Sequence, residues 1–168
     1  GYFFTDLGLS SGQGNVFVPA DVTMNVEPGT TIMIKSGLWF FIHGHLRAMG
    51  TAEAPIRFRP YEGFGNTSWS GISLYESGHV HLSHTVVQDA LLGLNSASPA
   101  SSFAVEDSLI ANTQFPILVR ADNLHLMQLD NISTQDNEYN VVHVFVDESS
   151  QLVADVTLTN ETGLEGYF

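Results

Sequence analysis

Residues 40–58 read FFIHGHLRAMGTAEAPIRF, with Arg59 just beyond, and they bring together the residue types of acid–base and anion chemistry. His43 and His45 supply imidazoles, the side chains most often used as general acids and bases; Arg47, Arg57 and Arg59 supply guanidinium forks that match carboxylate or phosphate oxygens. Together they would make an anion-binding face for an acidic sugar, with His43 or His45 as general base. A base needs an orienting partner, and Glu53 is the one acid near them in sequence. That shortage favours a plainer reading, a solvated outer row that contacts a neighbour or a glycan. His43-Gly44-His45 and His79-Val80-His81 also have the i, i+2 spacing that shares one strand face, as a metal pair would. Zinc asks for three or four ligands and a second shell, so outward histidines are the simpler expectation and no metal is assigned to them.

Strands must position these residues. The 168 residues suit one domain, 43% are hydrophobic and only 14% charged, and Val, Ile, Thr and Phe recur without a helical i, i+3, i+4 stripe. The net charge of -13, with five Lys and Arg in all, disfavours nucleic acid, whose binding rests on neutralised phosphates. The lack of cysteine excludes disulfides, thiolate metal sites and a cysteine nucleophile. The longest apolar run, Leu38 to Ile42, is far short of the roughly 20 residues that span a bilayer, so no membrane insertion is expected. No signal peptide remains at Gly1, as in a mature soluble chain or a piece of a larger one.

The second half repeats. VHLSHTVVQD from Val80, FAVEDSLIAN from Phe103, LMQLDNISTQ from Leu126 and QLVADVTLTN from Gln151 superpose. Their fifth position holds His84, Asp107, Asp130 and Asp155, at offsets of 23, 23 and 25 residues; their tenth holds Asp89, Asn112, Gln135 and Asn160. A period of this length built from short strands and corners is one coil of a parallel β-solenoid, each coil stacking on the last at about 4.8 Å. The tenth-position residues then form a corner ladder of side-chain hydrogen bonds. Asp107, Asp130 and Asp155 would stack one coil apart, which makes calcium a candidate ligand; without a glycine-rich nonapeptide repeat, a solvated corner is the simpler expectation.

The first half alternates likewise. Ile32, Ile34, Ile42, Gly44, Leu46, Ala48, Ile56, Phe58, Ile72, Leu74, Val80 and Leu82, all apolar or small, share the inward parity. Met33, Lys35, His43, His45, Arg47, Arg57, Arg59, Tyr75 and His81 take the outward one. VEPGTTIMI at 26–34, GHLRAMGTAEAPIRF at 44–58 and WSGISL at 69–74 resemble, in order and spacing, the motifs of right-handed parallel β-helix repeat proteins of the pectate-lyase-like superfamily. The resemblance spans roughly residues 22 to 160 and implies the fold far more than the activity, since the superfamily holds lyases, hydrolases, tailspikes, adhesins and non-catalytic surface domains.

The expected fold is therefore all-β, a single-stranded right-handed parallel β-helix of about seven coils, with a β-sandwich as the next choice. Residues 22–160 would form the coils, 1–21 and 161–168 the caps or junctions. Lys35, Arg47, Arg57 and Arg59 against Glu53 leave residues 35–59 at net +3, while Arg120 against fourteen acids leaves 60–168 at -13. Sequence order is axial order in a solenoid, so the rod is polarised. Tyr2, Phe3, Phe4, Tyr167 and Phe168 would fold over the ends or sit in a junction, and unlike ends that attract form open chains. The expected role is an extracellular, secreted or cell-surface structural, adhesive or self-assembling module without cofactor, partnered by itself or by other surface proteins. The alternative is a β-helix that binds or degrades a polysaccharide as lyase or hydrolase. Asn66, Asn131 and Asn160 each open a glycosylation triplet.

Overall fold

A computed structural model describes residues 1–4, 15–61 and 67–168, with the side chains of Phe3 and Phe4 outside the described set. Half of the chain is strand and 4% is helix, and the strands follow one another in threes. The first turn is β1 (Tyr2–Phe4), β2 (Val16–Val18) and β3 (Thr23–Val26); the second is β4 (Thr31–Ile34), β5 (Trp39–Ile42) and β6 (His45–Met49). The third is β7 (Ile56–Pro60), β8 (Gly71–Leu74) and β9 (His79–Ser83); the fourth is β10 (Thr85–Gln88), β11 (Leu92–Ser96) and β12 (Ser102–Glu106). The fifth is β13 (Leu109–Ala111), β14 (Phe115–Arg120) and β15 (Met127–Asp130). A sixth holds β16 (Ser133–Gln135) and β17 (Val141–Phe145), with β18 (Gly166–Tyr167) added beyond β17.

Each strand pairs in parallel with its counterpart one turn away, which builds a six-stranded, a seven-stranded and a five-stranded sheet around one core. This is the expected parallel β-solenoid, with about six turns in place of seven. The difference lies at residues 151–160, whose alternation suggests a further coil. They form no strand: Val156 packs on the core with Leu164 and Tyr167, while Leu152, Val153 and Leu158 are exposed.

The inward parity is the observed core. Ile34, Phe40, Ile42, Leu46, Ala48, Ile56, Phe58, Ile72, Val80 and Leu82 are all fully buried, and Phe40 meets Phe58 at a ring separation of 6.1 Å. Alternation decides this because successive side chains on a strand point to opposite faces, and only the inner face escapes water.

The corner ladder needs a one-residue correction. Between Val119 and Met127 the chain carries one residue more than the preceding turn: Leu92 pairs with Phe115, but Phe103 pairs with Met127. Strands stay in register because their backbones are paired, so the extra residue goes into the 3-10 turn Ala121–Leu126. From there on Asn131, not Asp130, follows His84 and Asp107 at the left-handed corner, with φ of 52°, 46° and 46°. Asp136, not Gln135, follows Asp89 and Asn112, with φ of 53°, 55° and 52°. The Asn112 amide donates to Asp89 Oδ1 at 3.1 Å, and the Gln135 amide donates sideways to Asp136 at 3.0 Å. Asn160 is exposed and outside any strand.

Asn123 holds the inserted turn. Its buried amide donates to Ser96 O, Ser98 O and Ser101 Oγ, and its Oδ1 accepts the Ala100 N–H at 3.0 Å. Nearby, Arg120 donates to Asp122 and bidentately to Asp147, and this guanidinium holds both carboxyls below the usual carboxylate range. Asn123→Ala leaves buried backbone groups unpartnered and is expected to cost about 2–3 kcal/mol. Urea unfolding checks this: the midpoint should drop with an unchanged slope.

Candidate functional site

The opening histidines and arginines do not make one band. Gly44 sits at a corner: its N–H bonds Val18 O, and a Cβ there would lie 2.3 Å from Pro19 O and from Val22 O. His43 therefore ends beside the seven-stranded sheet, and His45 opens β6 on the five-stranded one. A second corner follows β6, so Arg57 and Arg59 on β7 belong to the six-stranded sheet. There the Arg57 and Arg59 guanidiniums each reach a neighbouring carbonyl, of Pro55 and Pro60. Parity separates inside from outside, but it does not say which of three outer faces a residue joins.

The five-stranded sheet collects the most chemistry. Along β6, Leu46 and Ala48 point into the core while His45 and Arg47 point out; on β9, Val80 and Leu82 point in while His79 and His81 point out. Register sets Thr23 beside His45 and His45 beside His79, and Asn25 beside Arg47 and Arg47 beside His81. These six line a shallow depression. The His45 and His79 rings are 5.7 Å apart; His79 Nδ1 bonds Ser102 Oγ at 2.8 Å, and His81 Nε2 is 3.2 Å from Glu106 Oε1. Burial first, then the charges of His45, His81 and Arg47, push the His79 pKa below its ordinary value. Among the described residues Arg47 has no hydrogen-bond or ion-pair partner. His79 and His81 share a strand face as their spacing suggests, yet no three His, Asp or Glu side chains among the described residues group as a metal site.

The seven-stranded sheet carries rings that the alternation of WFFIH at 39–43 announces, since it sets three aromatics outward together. Trp39, Phe41 and His43 project from β5 and its end, with Phe17 before them and Tyr75 after. Ring centroids are 5.4 Å for Phe17–Phe41, 6.0 Å for Trp39–Phe41, 5.3 Å for Phe41–Tyr75 and 5.2 Å for His43–Tyr75. Register then runs one outward column along the rod: Phe17, Phe41, Ser73, Asn95, Leu118, His143. At its far end Phe115, Tyr139, His143 and Phe168 form a second cluster, with Phe115 and Tyr139 stacked at 4.9 Å.

The remaining candidates separate. Asp107, Asp130 and Asp155 form no row: Asp107 takes a hydrogen bond from Asn131, Asp130 pairs in register with Glu106, and Asp155 is exposed beyond the last paired strand of its sheet. Tyr2 is exposed beside Met24, Val26 and Ile32 at one end. Tyr167 packs on the core at the other, with Phe168 78% exposed beside it. Phe3 and Phe4 lie on β1, their side chains outside the described residues, as is Asn66 entirely.

Fold and faces together define an all-β parallel solenoid with a polar basic face and an aromatic face. No family profile, curated protein or solved structure matches the chain. No helix among the described residues is long and apolar enough to cross a membrane.

His79, with a folded pKa below its unfolded one, favours the folded state fully above about pH 6.5, and this contribution is lost as pH falls through the lowered value. NMR titration should place its midpoint below the ordinary value, and Arg47→Ala should move it upward by removing a neighbouring positive charge. A midpoint at or above the ordinary value would contradict the geometry.

Proposed function

We propose that the protein is a non-catalytic adhesive module of the right-handed parallel β-helix type, akin to the pectate-lyase-like superfamily. In this reading it works in secreted or cell-surface form and holds an extended polysaccharide along its seven-stranded sheet. The observation that carries the reading is the outward column from Phe17 to His143, with aromatic clusters at both ends and Ser73, Asn95 and Leu118 between them, where the Asn95 amide donates to the buried Ser73 hydroxyl at 3.2 Å. Aromatic faces present flat apolar area to sugar rings. The column repeats at the strand spacing of about 4.8 Å, so an extended polymer lying along the axis meets equivalent positions turn after turn. Phe17, 55% exposed, and Tyr75, 46% exposed, are large apolar groups left in water, as binding surfaces are. The placing of His43 on one face and of Arg57 and Arg59 on another, away from His45 and Arg47, supports binding over catalysis.

A panel of soluble polysaccharides in affinity electrophoresis tests this. At least one neutral polymer should retard the protein, and Phe41→Ala or Trp39→Ala should weaken retention about tenfold, as loss of a central aromatic contact does. Retention by no polymer, or retention indifferent to both substitutions, would overturn the reading; release of oligosaccharides would replace adhesion by a lyase or hydrolase.

The axial charge asymmetry supports a second reading, head-to-tail association into filaments. Four of the five basic residues lie on the second and third turns, and the acidic excess lies beyond them, where Val146, Leu152, Val153 and Leu158 are also exposed. Light scattering should then show mass rising with concentration and falling with salt. A monodisperse monomer at high concentration removes this reading.

A further inference from the structure

We infer that the depression on the five-stranded sheet is an oxyanion site, centred on Arg47 and built from His45, His79, His81, Thr23 and Asn25. It uses a different face from the aromatic column and does not rest on the glycan reading.

Charge makes the first part of the case. The chain carries -13 overall, and its other guanidiniums are engaged: Arg120 by two carboxylates, Arg57 and Arg59 by backbone carbonyls. Arg47 alone among the described arginines presents its donors to solvent without a partner. An arginine left open inside a rank of imidazoles is an uncompensated positive field on an acidic rod. Among the described residues the only carboxylate that a contact brings to these imidazoles is Glu106, which is engaged with His81 on the side away from Arg47; Asp130 stands beyond it in register.

Geometry makes the second part. Asn25, Arg47 and His81 stand in register on three consecutive strands, and Thr23, His45 and His79 form the parallel row two residues along. An oxyanion seated over the Arg47 fork is thus met from one side by the Asn25 amide and from the other by His81, with the second row two residues, about 6.6 Å, along the strands. Arg47 supplies the planar two-point contact that carboxylate, sulfate and phosphate share. Ser102 occupies His79 at Nδ1, which leaves Nε2 for a ligand. A cation is disfavoured at the same place, because the Arg47 guanidinium stands in register with His81 and two residues from His45 on the same strand. Nucleic acid is disfavoured as the carrier, since the acidic remainder of the rod would repel a long phosphate chain.

Protonation couples to this site. Bound oxyanion stabilises imidazolium at His79, against the opposing charge of Arg47. Affinity should therefore rise as pH falls from 7.5 to 5.5, and bound anion should raise the His79 midpoint.

The test is a sulfate titration at constant ionic strength, with chloride as balance, followed by the histidine ring signals in NMR and by calorimetry. Saturable shifts at His45, His79 and His81, weakened about tenfold or more in Arg47→Gln, as loss of a charge-assisted donor predicts, support the site. Arg47→Lys should restore part of the affinity. Arg47 is exposed, and an unchanged melting curve for each variant verifies folding. Trp39→Ala should leave sulfate binding intact, so failure here and failure of the polysaccharide reading are separable. A sulfated polysaccharide at matched sulfate concentration distinguishes the source: much tighter, Arg47-dependent binding identifies a polymer-borne oxyanion, and equal binding a free one. Shifts that chloride reproduces, polymer binding that survives Arg47→Gln, or zinc shifting the three histidines where sulfate does not, would each overturn the proposal.

Discussion

Parallel backbone pairing between successive turns is the constraint on which the rest of this molecule depends. Each strand donates and accepts along the rod axis, so strand residues of the inner turns have fixed neighbours one turn above and below. Changes in chain length are consequently expelled to the corners. The extra residue of the fifth turn sits in the 3-10 segment around Asn123, where side-chain hydrogen bonds replace the missing ladder. The same constraint demands left-handed backbone where the chain bends sharply, met at His84, Asp107 and Asn131 on one edge and at Asp89, Asn112 and Asp136 on another. Where turns approach too closely for any side chain, glycine is required: a Cβ on Gly78 would lie 2.0 Å from Ile42 O.

Stacking identical positions also stacks their charges, which is a hazard for an acidic chain. The corners answer it by placing an amide after a carboxylate, as Asn112 follows Asp89 and Asn131 follows Asp107, so a hydrogen bond stands where a like-charge contact would. Arg120 answers it with one buried guanidinium shared by two carboxylates. Against this background the open Arg47 is an exception, and the exception falls on a face whose neighbours in register are polar and uncharged or titratable.

A solenoid of this kind offers flat outer faces that repeat along an axis. Such faces suit extended partners, because each turn adds one more equivalent position. They suit concentrated catalysis less, since reacting groups must converge on one atom. The separation of His43, His45 and Arg57 onto three faces follows from two corners in fifteen residues, and it divides an apparent reactive cluster into a ring-stacked histidine, a member of a polar depression and a surface arginine.

Read alone, the chain determined its inside and its outside. Alternation assigned Ile42, Leu46, Ile56 and Phe58 to the core and His45, Arg47 and Arg57 to water, because strand geometry leaves two directions and burial selects one of them. The repeat likewise announced a stacked architecture and its polar corners. What it left open was lateral: which outer face a residue joins, and which residue of a later turn stands beside it. Those were decided by the corner at Gly44, by the insertion that puts Asn131 and Asp136 where Asp130 and Gln135 were expected, and by strand register bringing Arg47 between Asn25 and His81. Parity is a local property of the backbone, legible over a few residues. Register is a property of pairing between segments more than twenty residues apart, and it exists only once the turns are stacked.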